Sequence, residues 1–303
     1  GRGCCRFFTP EMDRRMQERR LLELELRHAI AAQEFVLHYQ PIYNSQSATV
    51  ACFEALLRWK SPKRGMVPPL DFIPLAEEIG AIVPIGEWAI RRACADAATW
   101  PKDVCVAVNL SPAQFKQPSL PMVVAKALAD SGLVPSRLEL EITESVLLHD
   151  NEANMAMLHA LRKLGVRIAM DDFGTGYSSL SYLRSFPFDK IKIDRTFVSE
   201  LSGTNDCATI IRAVAGLGTD LGMETTAEGV ESEAQFMAVR DHGCTHVQGF
   251  FSADRCPPIN CQGCSARKLP LSRNTESKTQ TRRLFCRSCN PVSETGRARR
   301  REF

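Results

Sequence analysis

The chain has 303 residues, 44% hydrophobic and 24% charged, a balance that excludes a chain too polar to build a core. No stretch nears the roughly 18–20 uninterrupted apolar residues of a membrane span, and the start, "GRGCCRFFTPEMDRR", lacks the apolar core of a secretory signal. The net charge of +3 hides a division: residues 253–303 hold twelve Lys and Arg against four Asp and Glu, a balance of +8 that leaves −5 for residues 1–252.

A mildly acidic body argues against nucleic acid as the partner of the whole chain. The chain starts without Met, which reads as a piece of a longer protein. Cys52, Cys94, Cys105, Cys207 and Cys244 sit singly in apolar segments, as reduced core cysteines do, and fit a cytoplasmic body. Cys256, Cys261, Cys264, Cys286 and Cys289 crowd the tail.

The first element is a helix over about residues 11–33. Thr9-Pro10-Glu11 supplies an N-cap, a proline for the first turn and an early acid. Met12, Met16, Leu22, Leu26 and Ile30 then recur at helical spacing among many charges, the pattern of an exposed helix joining a preceding domain. After it, strand-like runs alternate with amphipathic stretches. The runs are "FVLHYQPI", "TVACFEALLRW", "VCVAVNLS", "RLELEITES", "VRIAMDD", "DKIKID", "METTAEG" and "HVQGFF". Helix candidates between them include "DFIPLAEEIG", "IGEWAIRRACADAATW", "LPMVVAKALADSG", "EANMAMLHALRKLG", "CATIIRAVAGLGTDLG" and "SEAQFMAVRDHG", several ending in a glycine suited to a C-cap. Eight strands alternating with helices predict an α/β protein with a largely parallel sheet. The length suits a (β/α)8 barrel of the TIM type, with an open doubly wound sheet as the alternative.

A polar residue recurs at or near the end of each run: Glu54, Asn109, Glu141, Asp171 with Asp172, Lys192, Glu228 and Gln248. In a barrel these ends open onto one face; in an open sheet they would spread along an edge. Taken singly, each has a plainer reading: a strand-end Glu is usually solvated, and Lys192 could pair with Asp194. Asn109-Leu110-Ser111 is formally a glycosylation sequon without a secretory signal. Asp172-Phe173-Gly174 mimics a kinase signature whose companions are missing. Together, five carboxylates in one pocket repel one another, and hard divalent cations relieve that repulsion. Oxygen donors without His or Cys point to Mg2+ or Mn2+. The Asp171-Asp172 pair can serve two ions, the arrangement used for displacement at phosphorus, which implies a phosphodiester substrate.

At this point the residues resemble the EAL-domain cyclic di-GMP phosphodiesterases. "EALLRW" at 54–59 is similar to the family signature. "LHYQPI", "FIPLAEEIG", "VAVNLS", "LELEITES", "DDFGTGYSSLSYL", "FDKIKID", "AEGVES" and "GCTHVQGFF" occur in the family's order and spacing, from about Glu34 to Phe251. The resemblance implies a barrel whose first strand is antiparallel. It implies that Glu54, Asn109, Glu141 and Asp171 bind metal, with Asp172 serving the second ion. Lys192 would hold the attacking water or a phosphate oxygen, Glu228 would be the general base and Glu231 its supporting acid. Gln248 would complete the site, while Arg58 and Gln40 would meet the dinucleotide's phosphate and guanine edges, with Asp194 beside them on the substrate side. Glu144 would anchor the loop from Phe173 to Ser179, which carries the dimer contact of many family members. The implied reaction is metal-dependent hydrolysis of cyclic di-GMP to linear pGpG. The rival is a catalytically silent receptor or scaffold that acts by binding the dinucleotide.

Three segments follow from this reading. Residues 1–10 resemble the end of a GGDEF domain, the remnant of an upstream partner or sensor. Residues 11–252 form the barrel domain. Residues 253–303 depart from the family, with "ADRCPPINCQGCSARKLPLSRNTESK" where a last amphipathic helix is usual. The sequence predicts a poorly ordered basic tail or an extension read out of frame. The lesser alternative is zinc held by Cys261-x-x-Cys264 and Cys286-x-x-Cys289.

Overall fold

The computed structural model describes residues 10–144, 146, 151–174, 183, 186, 188–201 and 205–249. The expectations placed on Thr9, on the 175–179 loop and on the cysteine-containing tail lie outside them. Helix α1 (Pro10–Ala29) stops short of the predicted residue 33. Ala32 and Glu34 donate their N–H groups back to the carbonyls of His28 and Ala29. Gln33 turns left-handed (φ 56), releasing the chain into a strand. The inward face of α1, with Leu22, Leu26, Ala29 and Ile30, packs on Trp59, Val67, Phe72 and Leu75.

Strands β1 (Phe35–Asn44), β2 (Val50–Ser61), β3 (Gly65–Val67), β4 (Cys105–Leu110), β5 (Leu138–Thr143), β6 (Arg167–Phe173), β7 (Lys190–Ile193), β8 (Glu224–Ala227) and β9 (His246–Gln248) form one sheet. β1 pairs with both β2 and β9, closing eight strands into a barrel, and β3 hangs from β2 as a hairpin. β1 is antiparallel to both neighbours, and the pairings from β2 through β4 to β9 are parallel. The barrel, its reversed first strand and all eight predicted runs are therefore present, and the open sheet is excluded.

Around it lie α2 (Pro69–Glu78), α3 (Ile82–Ala97), α4 (Pro112–Phe115), α5 (Leu120–Ser131), α6 (Asn151–Lys163), α7 (Arg195–Ser199), α8 (Asn205–Asp220) and α9 (Glu233–Asp241). α5 closes at the left-handed Gly132, whose N–H returns to Leu128. The short α4 and α7 were not predicted, being too brief for a helical period to register. α4 does carry a signal: Ser111 and Gln114 form a capping box around Pro112. No described helix is long and apolar enough to cross a membrane.

Alternation divides each strand between two environments. Leu138, Leu140 and Ile142 of β5, like Ile191 and Ile193 of β7, join the core between sheet and helices. The intervening residues fill the lumen, where Ile42, Cys52 and Ala107 form a small apolar cluster. At the N-terminal ends of the strands the lumen is ionic. Lys190 Nζ donates to Glu139 Oε1 at 2.7 Å and lies 3.7 Å from Glu224. Arg167 bridges Glu139, at 3.4 Å, and Glu224. Burial opposes the charge on Lys190, but Glu139 chief among its neighbours outweighs it and raises the pKa. His246, 3.9 Å from Glu224, is pushed down to about 4 by burial and by Lys190, so it is neutral. Two carboxylates and two cations thus cancel at the floor of the barrel.

Candidate active site

The mouth of the barrel is built from the other ends of the same strands. Glu54 lies in the middle of β2, not at its end, because β2 runs on past the barrel to pair with β3. Its parallel pairing with β4 ends at Ala55, so Glu54 still faces the mouth, directly across from Gln40 on β1. Asn109 and Glu141 are register partners on β4 and β5. Asn109 Nδ2 donates to Glu54 Oε1 at 2.7 Å, which leaves the Asn109 amide oxygen for another partner, and Gln248 Nε2 donates to Glu54 Oε2.

Lys192, 1% exposed, sits where these groups converge. Its Nζ lies 2.8 Å from Glu141 Oε2, 2.7 Å from Glu228 Oε1, 3.1 Å from Asp171 Oδ1 and 4.0 Å from Glu54 Oε2. Asp194 is not among these partners, so the plainer pairing considered for Lys192 does not form. Burial disfavours the ammonium, yet Asp171, Glu141, Glu228 and Glu54 raise its pKa well above the ordinary value. The acids respond unequally. Burial works to raise Glu54, but Lys192 and the amides of Gln248 and Asn109 hold it below the usual range. Burial drives Glu141 well above that range, with Lys192 only partly opposing and the charges of Glu54 and Asp171 adding to the rise. Glu228 is pushed up to about 7 by burial, Lys192 opposing, with Asp171 and Glu54 adding to the rise.

Adjacent residues of a regular strand face opposite ways, so Asp171 and Asp172 need a local device to share a site. The β6–β7 ladder is interrupted between Met170 and Phe173, and Asp172 adopts φ 53. This left-handed backbone is one that Asp tolerates better than most residues. Asp172 N–H donates to Asp171 Oδ1 at 3.0 Å. The bulge turns both carboxylates to one side, and oxygens of Asp171, Asp172 and Glu228 come within 4.8 Å of one another. Burial, then the charges of Asp171 and Asp194, raise the Asp172 pKa.

The sequence pattern of the EAL domain family matches residues 23–254. The chain belongs to the EAL domain family. It is 54% identical over 250 residues to an uncharacterized signaling protein of Caulobacter vibrioides, covering 82% of this chain and 31% of that one. It is 43% identical over 252 residues to the bifunctional diguanylate cyclase/cyclic di-GMP phosphodiesterase MucR of Pseudomonas aeruginosa, covering 82% and 37%. The chain thus spans about a third of the length of these curated relatives. Among solved structures it resembles the PaMucR phosphodiesterase in complex with c-di-GMP, with a TM-score of 0.75 and 42% identity, over 78% of this chain and 98% of that one.

In this EAL domain the remaining predicted residues separate. Arg58 is buried on β2, two alternations beyond Glu54 and on the same face, and its Nη1 donates to Leu57 O at 2.7 Å. Asp194 Oδ1 caps α7, accepting from Thr196 N at 3.0 Å and Thr196 Oγ1 at 2.6 Å. Glu231 is exposed and is not one of the four carboxylate partners of Lys192 among the described residues. Glu144 is buried just after β5, while the loop it was expected to anchor lies outside the described residues from residue 175 on. One buried polar group of the site escaped the sequence reading. Thr226 is the register partner of Lys192, and its Oγ1 has no hydrogen-bond partner among the described residues. The period of two from Glu224 to Glu228 passes through it and would have found it.

The segment carrying Glu228 is held by backbone. Glu228 N–H donates to Ile193 O at 3.1 Å and Val230 N–H to Gln248 O at 3.0 Å. Gly249 packs so closely here that a Cβ would lie 2.0 Å from Val230 O. Gly249→Ala is therefore expected to cost about 1–3 kcal/mol, the range for overpacking, and to displace the Glu228 segment. A thermal melt alongside a turnover assay would register both losses.

Proposed function

We propose that this chain hydrolyses one phosphodiester bond of cyclic di-GMP to give linear pGpG, using Mg2+ or Mn2+. The observation that carries this reading is the charge of the bowl. With all five acids ionised, Glu54, Glu141, Asp171, Asp172 and Glu228 against Lys192 leave a formal −4, and burial resists that charge at Glu141 and Glu228, whereas the floor of the same lumen is neutral. Two divalent cations match that deficit. Two buried oxygens also favour a metal centre, since Glu141 Oε1 and Gln248 Oε1 have no hydrogen-bond partner among the described residues. Two ions held by Glu54, Asn109, Glu141, Asp171 and Asp172 would supply charge to the phosphoryl oxygens and lower the pKa of a water.

The chain's own residues take the other roles. Glu228, with its pKa raised to about 7, is suited to accept a proton from the attacking water near neutral pH. Lys192 keeps its charge and holds Glu228 and Asp171 in place, while Arg58 offers a guanidinium to a phosphate and Gln40 an amide edge to guanine. Water attacks phosphorus and the ribose oxygen leaves. Glu231 stands as a supporting acid, Asp194 and Gln248 as substrate-side groups and Glu144 as the anchor of the loop beyond Phe173. The names of MucR and of the phosphodiesterase PdeR of Escherichia coli support the substrate. The bifunctional name of MucR supports an upstream GGDEF partner in the longer protein. We take a cytoplasmic homodimer as the working assembly.

The test incubates the chain with cyclic di-GMP and either cation and follows pGpG by chromatography, with a chelator as control. Binding without turnover in both cations would leave the receptor reading in its place. Metal alone, at about 100 times its dissociation constant, is expected to stabilise the fold by about 2.7 kcal/mol. An upward shift of the thermal melt would report it, and an unchanged melt would count against a metal centre.

A further inference from the structure

Helix α1 is tied to the rim of the site at a joint around Glu34. Glu34, in the turn after α1, donates its N–H to Ala29 O at 3.0 Å and accepts from Lys60 N at 2.8 Å through its own carbonyl. Its carboxylate Oε2 accepts from Trp59 Nε1 at 2.8 Å. Trp59 is fully buried and packs its ring against Phe35, tilted, and Phe72, edge to face, at centroid distances of 6.1 and 5.7 Å, beneath Leu26 and Ala29 of α1. Beyond the joint, Glu25 of α1 pairs with Arg64 and, at 3.7 Å, with Lys63, so the β2–β3 turn is clamped to the same helix. Trp59 and Lys60 directly follow Arg58 in β2. Alternation puts Trp59 on the α1 side of the strand and Arg58 on the side of Glu54.

We propose that Glu34 and Trp59 are positioning residues that set Arg58 against α1, so that the lie of this helix governs how firmly the rim grips the substrate's phosphate. The proposal rests on the phosphodiesterase reading and adds to it a route by which movement of α1 alters substrate affinity without touching the metal-binding acids. None of the metal-binding or proton-accepting groups belongs to this joint, so its loss falls on binding.

The experiment uses the full chain and four variants: Trp59→Phe, which keeps an aromatic ring, though a smaller one, and removes the donor, Glu34→Leu, Glu34→Gln, and Arg58→Ala. Loss of one buried hydrogen bond corresponds to roughly a 3–10-fold change in an equilibrium constant. Trp59→Phe and Glu34→Leu are expected to raise the KM for cyclic di-GMP by about that factor, with kcat and the metal requirement unchanged. Glu34→Gln keeps a carbonyl acceptor and should stay near the unmodified chain. In an Arg58→Ala background, Trp59→Phe should raise KM no further. A merely structural role for Trp59 would not disappear with Arg58, so the double variant decides between the two. An unchanged KM, a matching fall in kcat and melting temperature, or the same KM rise without Arg58 would each overturn the proposal. The unmodified chain is assayed first. If it binds without turnover, the dissociation constant replaces KM in the same comparison. If it neither binds nor cleaves the dinucleotide, the phosphodiesterase reading falls and takes this one with it. If it turns over and the variants match it, only the positioning role falls.

Discussion

Glu228→Gln is expected to lower turnover of cyclic di-GMP by about 10²–10⁴-fold, the span associated with losing a general base. The substitution preserves the shape of the side chain, and its amide oxygen can still accept from Lys192, which now lies 2.7 Å from Glu228 Oε1. Substrate binding should therefore survive. The oxygens of Glu228 also lie within reach of those of Asp171 and Asp172, so a ligand role competes with that of base. A cation titration separates them. As a base, Glu228 can be replaced without altering the concentration of Mg2+ or Mn2+ that gives half-maximal residual rate. As a ligand, its loss shifts that concentration upward, and excess cation restores much of the rate.

The second large effect concerns stability and belongs to the other pole of the barrel. Lys190→Met is expected to destabilise the fold by about 3–5 kcal/mol, because Glu139 would keep a buried charge while losing its closest cation. Arg167, 3.4 Å away, remains but is shared with Glu224. Adding Glu139→Leu should recover most of the loss, since a buried ion pair replaced as a unit by apolar groups is often neutral. Urea denaturation followed by circular dichroism would read both variants. Equal losses from the single and the double variant would mean that the lysine acts through packing, not through its charge.

Much of this architecture was legible because each strand is an apolar run broken by a polar residue at the mouth. Asn109, Glu141, Asp171, Lys192, Glu228 and Gln248 all stood out in that way, and they do meet. The direction of β1 was not legible from pattern, since "FVLHYQPI" alternates identically whichever way the strand runs; the family resemblance supplied it. Glu139 and Lys190 were hidden inside "LELEI" and "KIKI", where an inward charge looks the same as an outward one. Only closure of the barrel turns them toward each other. The bulge at Asp172 was likewise unreadable, because two successive aspartates carry no mark of a left-handed backbone. Glu231 stood out only through the motif around it, and its side chain lies at the surface.

The reversal of β1 has a consequence for how such a domain can be wired to others. In a barrel of uniformly parallel strands the chain arrives at the pole remote from the chemistry. Here Phe35, the first residue of β1, is opposite Trp59 near the end of β2, so the chain arrives at the mouth of the barrel, where the acids gather. Any module fused ahead of α1, natural or engineered, is thereby joined through this helix to the end of the barrel that holds the acids, rather than to its floor.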